Sequence, residues 1–248
     1  MRTEIGAARG STAVRRVLED ELARVRAGRA TEPHVVDVGG GTGVWAVPLA
    51  AAGCRVTVVE PNQDALATLR RRAEECEVGG RITVVADDTD ALSSRVEPGS
   101  ADLVLAHGVL EVVDDPRAVA AALASTAAPG GAVSVLAANR YAAVLHRALA
   151  GRLTEAKQLL TGADGVLPDD GESILRRYGT ESLRVLLESA GLKLELLQGD
   201  AVVADSVGEA ESEQFTADEL AEFEDVAGTV SPLLDIASRL HALARRPA

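Results

Sequence analysis

Aromatic side chains are scarce in this sequence, with one Trp, two Tyr and two Phe among 248 residues. A core must therefore be assembled from Val, Leu and Ala. Cysteine is scarcer, at Cys54 and Cys76 alone: too few for a disulfide framework and too far apart for a close metal-ligand pair, so no metal is expected. Both thiols read as small buried hydrophobes in a reducing compartment. No apolar run approaches the ~18 residues of a membrane span, and no secretory leader precedes the first helical segment. The expected setting is the cytoplasm, with no membrane partner. Positive charge is also short: 25 Lys and Arg stand against 38 Asp and Glu, a net −13. That balance excludes a protein that coats phosphate backbone over its whole surface.

The deficit is local. Residues 194–248 carry 12 of the acids and three of the bases, a net −9, with no Lys or Arg from Leu194 to Ser238; residues 1–193 net only −4. What is present in quantity is 47% hydrophobic residues beside 25% charged. This is globular composition, and the length suits one domain.

The pattern of that hydrophobicity is regular. Val14, Val17, Leu18, Leu22 and Val25 recur at helical spacing behind Ser11 or Thr12, which predicts an opening helix. HVVDV is a short apolar run ending in glycines and reads as a strand, followed by a helix over Val44–Ala52 in which Pro48 bends the early turns. RVTVVEP, RITVVAD, ADLVLAHG and AVSVLAA read as further strands. QDALATLRRRAEECE and DPRAVAAALASTA read as the helices between them, and Pro129-Gly130-Gly131 as a turn before the fifth strand. Strands apolar throughout and alternating with helices indicate a doubly wound α/β parallel sheet. Beyond Asn139 the spacing predicts one helix from about Arg140 to Leu160 and then a loop, TGADGVLPDDGES, whose residues 161–172 are a candidate lid. A helix capped by Thr180, a strand in LKLELLQGDAVV and a helix capped by Thr216 follow; IASRLHALARRP stays open between strand and helix.

The strongest local signal is Asp37-Val38-Gly39-Gly40-Gly41-Thr42-Gly43 between a strand and a helix. Glycines there let a ligand approach the backbone, and the helix start offers N–H groups to an anion. Glu60, 21 residues beyond Gly39 and ending the second strand, is placed to accept hydrogen bonds from two ribose hydroxyls. The dinucleotide fingerprint would need glycine at position 44, which is Val44.

These residues resemble the class I S-adenosylmethionine-dependent methyltransferases, and the likeness runs through five stations in order: VVDVGGGTG, Glu60, Asp87, DLVLAHGVLEVVDDP and the PGG turn. Within that class the chain is similar to the bacterial tRNA 5-carboxymethoxyuridine carboxyl methyltransferase group, through His107-x-Val109-Leu110-Glu111, Asn139 and, weakly, SPLLDIASRLHAL. The resemblance implies a Rossmann-like sheet of seven strands with the last antiparallel, an N-terminal helix and a helical insertion after strand five. It implies one methyltransferase domain over 1–248, with 35–139 the cofactor-binding half and 140–248 the substrate-side helices and sheet edge. The cofactor would be S-adenosylmethionine, leaving as S-adenosylhomocysteine. Gly39, Gly40 and Gly41 would back its methionine moiety, Asp37 would touch it or support the loop, Glu60 would hold the ribose, and Asp87, Asp88 and Thr89 would lie near the adenine. His107 would sit beside the methionine part, and Arg9, with Arg15 as alternative, would take the carboxylate.

Candidate catalytic residues near the strand ends are His107, Glu111, Tyr141 and His146. The tRNA enzymes carry a lysine-rich loop after the fifth strand where this chain has an acidic one, which would repel phosphate. A basic stretch, Arg140, Arg147, Arg152 and Lys157, reads either as an anion contact or as a solvated helix face. The expected reaction is methyl transfer to an oxygen, nitrogen or carbon of a small metabolite. Alternatives are a tRNA-nucleotide carboxyl methyltransferase, an NAD-dependent oxidoreductase and a cofactor-binding module without transfer activity. The expected partner is a small-molecule acceptor, with RNA second and the oligomeric state open.

Overall fold

In a computed structural model, residues 12–28, 32–162, 165–167, 176–205 and 214–248 are described. The sheet has seven strands: β1 (His34–Val38), β2 (Arg55–Val59), β3 (Ile82–Val85), β4 (Ala101–His107), β5 (Ala127–Ala138), β6 (Lys193–Asp200) and β7 (Arg239–Arg245). Their order is β3-β2-β1-β4-β5-β7-β6. The first five are parallel, while β7 runs antiparallel to both β5 and β6. The order reverses outward from β1, so the crevice above β1 and β4 is where a doubly wound sheet takes a ligand.

All five residues of β1 are buried, because helices cover both faces. On one face Val35, Val56, Val58, Leu103 and Leu105 pack under α1 (Thr12–Gly28), α2 (Ala46–Ala51) and α3 (Gln63–Glu75). On the other Val36, Val38, Val104, Val133 and Val135 meet Leu123, Leu183 and Leu187. Those leucines come from α5 (Pro116–Thr126) and α8 (Thr180–Ser189), which follow a single turn, α4 (Leu92–Arg95), and the pair α6 (Arg140–Leu149) and α7 (Leu153–Thr161). Leu18 and Leu22 of α1 are almost wholly buried, each contributing about 1.5–3 kcal/mol of burial free energy. Helix starts follow the chemistry of their caps. Asn62 accepts from the Asp64 and Ala65 amides ahead of α3, and Asp115 from Arg117 and Ala118 ahead of α5, where Pro116 needs no partner. Thr216 and Glu219 form a reciprocal box ahead of α9 (Ala217–Ala227); α10 (Leu233–Ile236) then leads into β7. Among the described residues no helix is long and apolar enough to cross a membrane.

Several expectations change. The helix expected over Val44–Ala52 is shorter, and the one over Arg140–Leu160 is two: Gly151 at φ +78° takes the left-handed conformation that ends α6. The cap of α8 is Gly179, with Thr180 inside. Pro129-Gly130-Gly131 lies within β5 as an irregularity between the Ala101 and Leu103 pairings, where a Cβ on Gly131 would be 2.9 Å from two carbonyl oxygens. Cys76 is exposed; only Cys54 is buried. The open segment near the C terminus is β7. Most of the loop expected over 161–173 lies outside the described residues.

Much of the acidity beyond Leu194 is bound internally. Glu195 pairs with Arg245, Asp200 with Arg239 and Asp225 with Arg16, while Glu224 accepts three backbone amides from Val202, Val203 and Ala204. The basic stretch is likewise committed. Arg140 donates to the carbonyls of Leu159, Leu160 and Gly162 at the end of α7, while Arg147 and Arg152 both reach Glu155. Two of these arginines therefore brace the helix pair instead of forming a plain solvated face.

Candidate active site

Two cavities open at the carboxyl ends of β1 and β4, and Gly39 and Gly108 line both. The first, about 330 Å³, is bounded by Glu60, Asp88, Thr89 and Asp90 and by the Val109–Asp114 segment. The second, about 410 Å³, is bounded by the glycine loop, Asp37, Trp45, His107, Glu111 and Leu136, with Arg15 and Arg239.

The loop is held by its own backbone. Gly39 donates to the Val59 carbonyl at 2.8 Å, crossing from β1 to β2. Gly39 sits at φ +67°, and a Cβ there would be 2.7 Å from Val109 Cγ2. On the 330 Å³ side Glu60 is buried, its Oε2 accepting from Gly41 N at 3.0 Å and its Oε1 from Asn62 N at 2.8 Å. These bonds hold the carboxylate in the wall with lone pairs to spare. Asp88 accepts from Thr89 N and so shapes the turn that presents Thr89 and Asp90. Asp87 lines neither cavity: it ion-pairs with Arg95 at 2.7 Å, which lowers its carboxyl pKa, and it accepts from Asp88 N.

The 410 Å³ side is lined by more apolar surface. Asp37 is buried, its Oδ2 has no partner, and burial followed by the charge of Glu60 pushes its pKa up to about 7. Glu111 accepts from Ala138 N at 2.8 Å through Oε1, its Oε2 lacks a partner, and burial raises its pKa. The His107 ring meets Trp45 edge to face at 5.1 Å, and its Nδ1 lacks a partner. Burial first, then His241 and Arg239, hold its pKa well below the usual histidine value, so the imidazole is neutral. Two cations face these groups. The Arg15 guanidinium lies 5.9 Å from the Trp45 ring centre, and Arg239 arrives at the carboxyl edge of the sheet because β7 runs backwards. Arg239 Nε donates to Asp200 Oδ2 at 2.7 Å, while Arg239 Nη2 and Asp200 Oδ1 have no partner.

Of the residues expected at the site, Asp37, Gly39, Gly40, Gly41, Glu60, Asp88, Thr89, His107 and Glu111 line these cavities. Tyr141 and His146 do not: both are exposed on α6, with the Tyr141 ring against Gly179. Arg9 lies outside the described residues. Trp45, Arg239, Leu136, Gly108 and Asp90 line the cavities without having been anticipated.

Residues 11–197 match the family described as a methyltransferase domain. The chain belongs to that family. The tRNA 5-carboxymethoxyuridine methyltransferase of Escherichia coli K12 is 26% identical over 234 residues, 93% of this chain and 87% of that protein. The ubiquinone biosynthesis O-methyltransferase of Xanthomonas euvesicatoria is 30% identical over 172 residues, 67% and 65% of the two chains. In fold, the methyltransferase resembles the S-adenosylmethionine-dependent methyltransferase of Methanosarcina mazei (TM-score 0.60, 16% identity, 90% and 96% covered). It also resembles the magnesium protoporphyrin IX methyltransferase of Synechocystis with S-adenosylhomocysteine bound (TM-score 0.60, 16% identity, 96% and 86% covered). The methyltransferase uses S-adenosylmethionine, and the dinucleotide alternative falls. The cleft suits that cofactor. A Cβ on Gly108 would meet nothing within 4 Å, so the missing side chain leaves space between the two cavities. Four residues around the larger cavity, Asp37, His107, Glu111 and Arg239, each hold a buried polar atom without a partner.

Proposed function

We propose that this methyltransferase transfers the methyl group to a carboxylate oxygen of a small acidic acceptor. The observation that carries this reading is the pair of guanidinium groups, Arg15 and Arg239, bordering a 410 Å³ cavity whose two acids are both raised in pKa. Two cations suit two anions: Arg15 the cofactor carboxylate, Arg239 the acceptor carboxylate.

Glu60 holds the ribose hydroxyls, Asp88 and Thr89 flank the adenine, and Gly39, Gly40 and Gly41 back the methionine chain against Asp37. S-adenosylmethionine, when bound, supplies an electrophilic sulfonium methyl. The chain's task is then alignment and exclusion of water. Arg239 fixes one acceptor oxygen, Trp45 and Leu136 wall off solvent, and His107 and Glu111 border the acceptor. A carboxylate is already ionised at neutral pH, so no base is needed, and its charge is cancelled as it attacks a cation. That change is favoured where water is excluded.

A second reading, a tRNA acceptor, is favoured by a groove of about 690 Å³ lined by Arg117, Arg140, Arg176 and Arg177, which begins at Asp115, next to the Asp114 wall of the smaller cavity. Methyl-labelled S-adenosylmethionine supplied with separate RNA and small-molecule fractions of a cell extract decides between them. Label in the small-molecule fraction that mild base releases as methanol is expected. RNase-sensitive label, or base-stable label in a small molecule, overturns the first reading.

A further inference from the structure

We infer that Gln198, on the edge strand β6, sets the tautomer of His107 through a hydrogen-bond chain crossing four adjacent strands, so that His107 offers the cleft an N–H and not a lone pair. His107 Nε2 lies 2.9 Å from Ser134 Oγ, Ser134 Oγ lies 2.9 Å from His241 Nε2, and His241 Nδ1 lies 3.1 Å from Gln198 Nε2. The four residues belong to β4, β5, β7 and β6, neighbours in that order, and stand on one sheet face with Leu105 and Leu243. Ser134 and His241 are completely buried and Gln198 nearly so, so the chain meets the cleft only at His107.

Such a chain can point only one way. A hydroxyl has one proton, so Ser134 donates to one histidine and accepts from the other. Both rings are neutral, each with one N–H. Gln198 Nε2 is a donor, so His241 Nδ1 accepts and the His241 proton sits on Nε2. His241 therefore donates to Ser134, Ser134 donates to His107 Nε2, and the His107 proton sits on Nδ1. That nitrogen is buried, has no protein partner and belongs to a residue lining the 410 Å³ cavity. Four aliphatic side chains would pack this layer without a directional requirement, whereas a satisfied polar chain fixes one arrangement.

His107 is then no general base. It is a donor for a ligand atom with a lone pair, and Gln198, Ser134 and His241 are positioning residues. Identifying that atom as an acceptor oxygen rests on the proposed function; the tautomer does not.

The test is long-range proton–nitrogen correlation NMR on histidine-15N-labelled protein without ligand. His107→Gln and His241→Gln spectra assign the two rings among the four histidines. The expected pattern places the proton on Nδ1 of His107 and on Nε2 of His241. Gln198→Met should convert His107 to a mixture of tautomers, and in a Ser134→Ala background the same change should shift His241 alone. A proton on Nε2 of His107 in the unmodified protein overturns the inference, and sequential assignment from the backbone reaches that ring without any variant. So does a Gln198→Met protein in which His241 shifts and His107 does not. Neither result depends on the identity of the acceptor, so failure here is separable from failure of the proposed function.

Discussion

The two cavities flank one glycine loop and are built by opposite means. The 330 Å³ side takes its walls from four consecutive strand ends and the turns after them: Gly39, Glu60–Pro61, Asp88–Asp90 and Gly108–Asp114. The 410 Å³ side gathers Arg15, Trp45, His107, Leu136 and Arg239 from across the chain. The first is fixed by local strand–turn–helix chemistry and the second by tertiary closure. Damage to the first should therefore stay in binding of the cofactor's nucleoside end, while damage to the second should spread into stability, acceptor use and the cofactor's methionine end.

The largest effect should come where the two sides share a wall. Gly39→Val combines a positive φ with a Cβ 2.7 Å from Val109 Cγ2, at a cost of about 3–5 kcal/mol. Calorimetric titration should show S-adenosylhomocysteine affinity falling by at least about a hundredfold.

Asp37→Asn should separate stability from binding. Because the folded pKa of Asp37 is raised from 3.8 to about 7, the folded state holds a proton that the unfolded state has released between those values. Stability therefore falls as pH rises from about 4 to about 7. The Asn variant should lack that fall, gaining up to about 4 kcal/mol over the parent at pH 8 and nothing at pH 4. Denaturant titrations at the two pH values measure the difference, and equal gains at both would contradict it.

Arg239→Gln should lower kcat/KM for the acceptor about ten- to a hundredfold, the loss of a charge-assisted contact. S-adenosylhomocysteine binding should stay within about threefold. Loss of cofactor binding instead would erase the division between the cavities. The variant also strips the buried Asp200 of its ion pair, so a lower midpoint of thermal unfolding at pH 8 than at pH 5 is expected.

Glu60→Gln should weaken S-adenosylhomocysteine by about tenfold and lower stability by about 1 kcal/mol, since the amide oxygen accepts one of the two backbone amides and the other loses its partner. The smallest effect belongs to Tyr141→Phe and His146→Gln, which should leave turnover within about twofold because neither residue reaches a cavity.

The same division explains what could be read from the sequence. Glu60 was legible from its spacing because β1 and β2 are adjacent and parallel, with Val38 opposite Val59. The seven-strand sheet was legible for the same reason: buried parallel strands announce themselves as apolar runs. Arg239 was not, because β7 is buried through its middle five residues and shows no clean alternation to separate strand from helix. His107 reads from the sequence as a candidate catalytic and cofactor-side residue, yet its proton position depends on Ser134, His241 and Gln198, each remote in sequence. Tyr141 and His146 follow β5 closely in sequence, but Asn139 caps α6 and the helix leaves both side chains exposed. Asp87 is held by Arg95, which one turn of α4 brings within 2.7 Å, whereas its neighbour Asp88 caps the turn at Thr89 in the cavity wall.

The placement of β7 between β5 and β6 has a consequence for the order of synthesis. Translation delivers β6 before the strand that joins it to the sheet, so until Arg239–Arg245 is made β6 has no hydrogen-bonding neighbour and β5 presents a bare edge. A nascent chain at that stage can already contain the glycine loop and Glu60, yet lacks Arg239 and His241. It is a cofactor platform with two open strand edges, the kind of surface that holding chaperones cover. Strand β7 closes both of those edges and brings Arg239 to the 410 Å³ cavity in the same step, so the end of the sheet and the wall of the cavity are completed together.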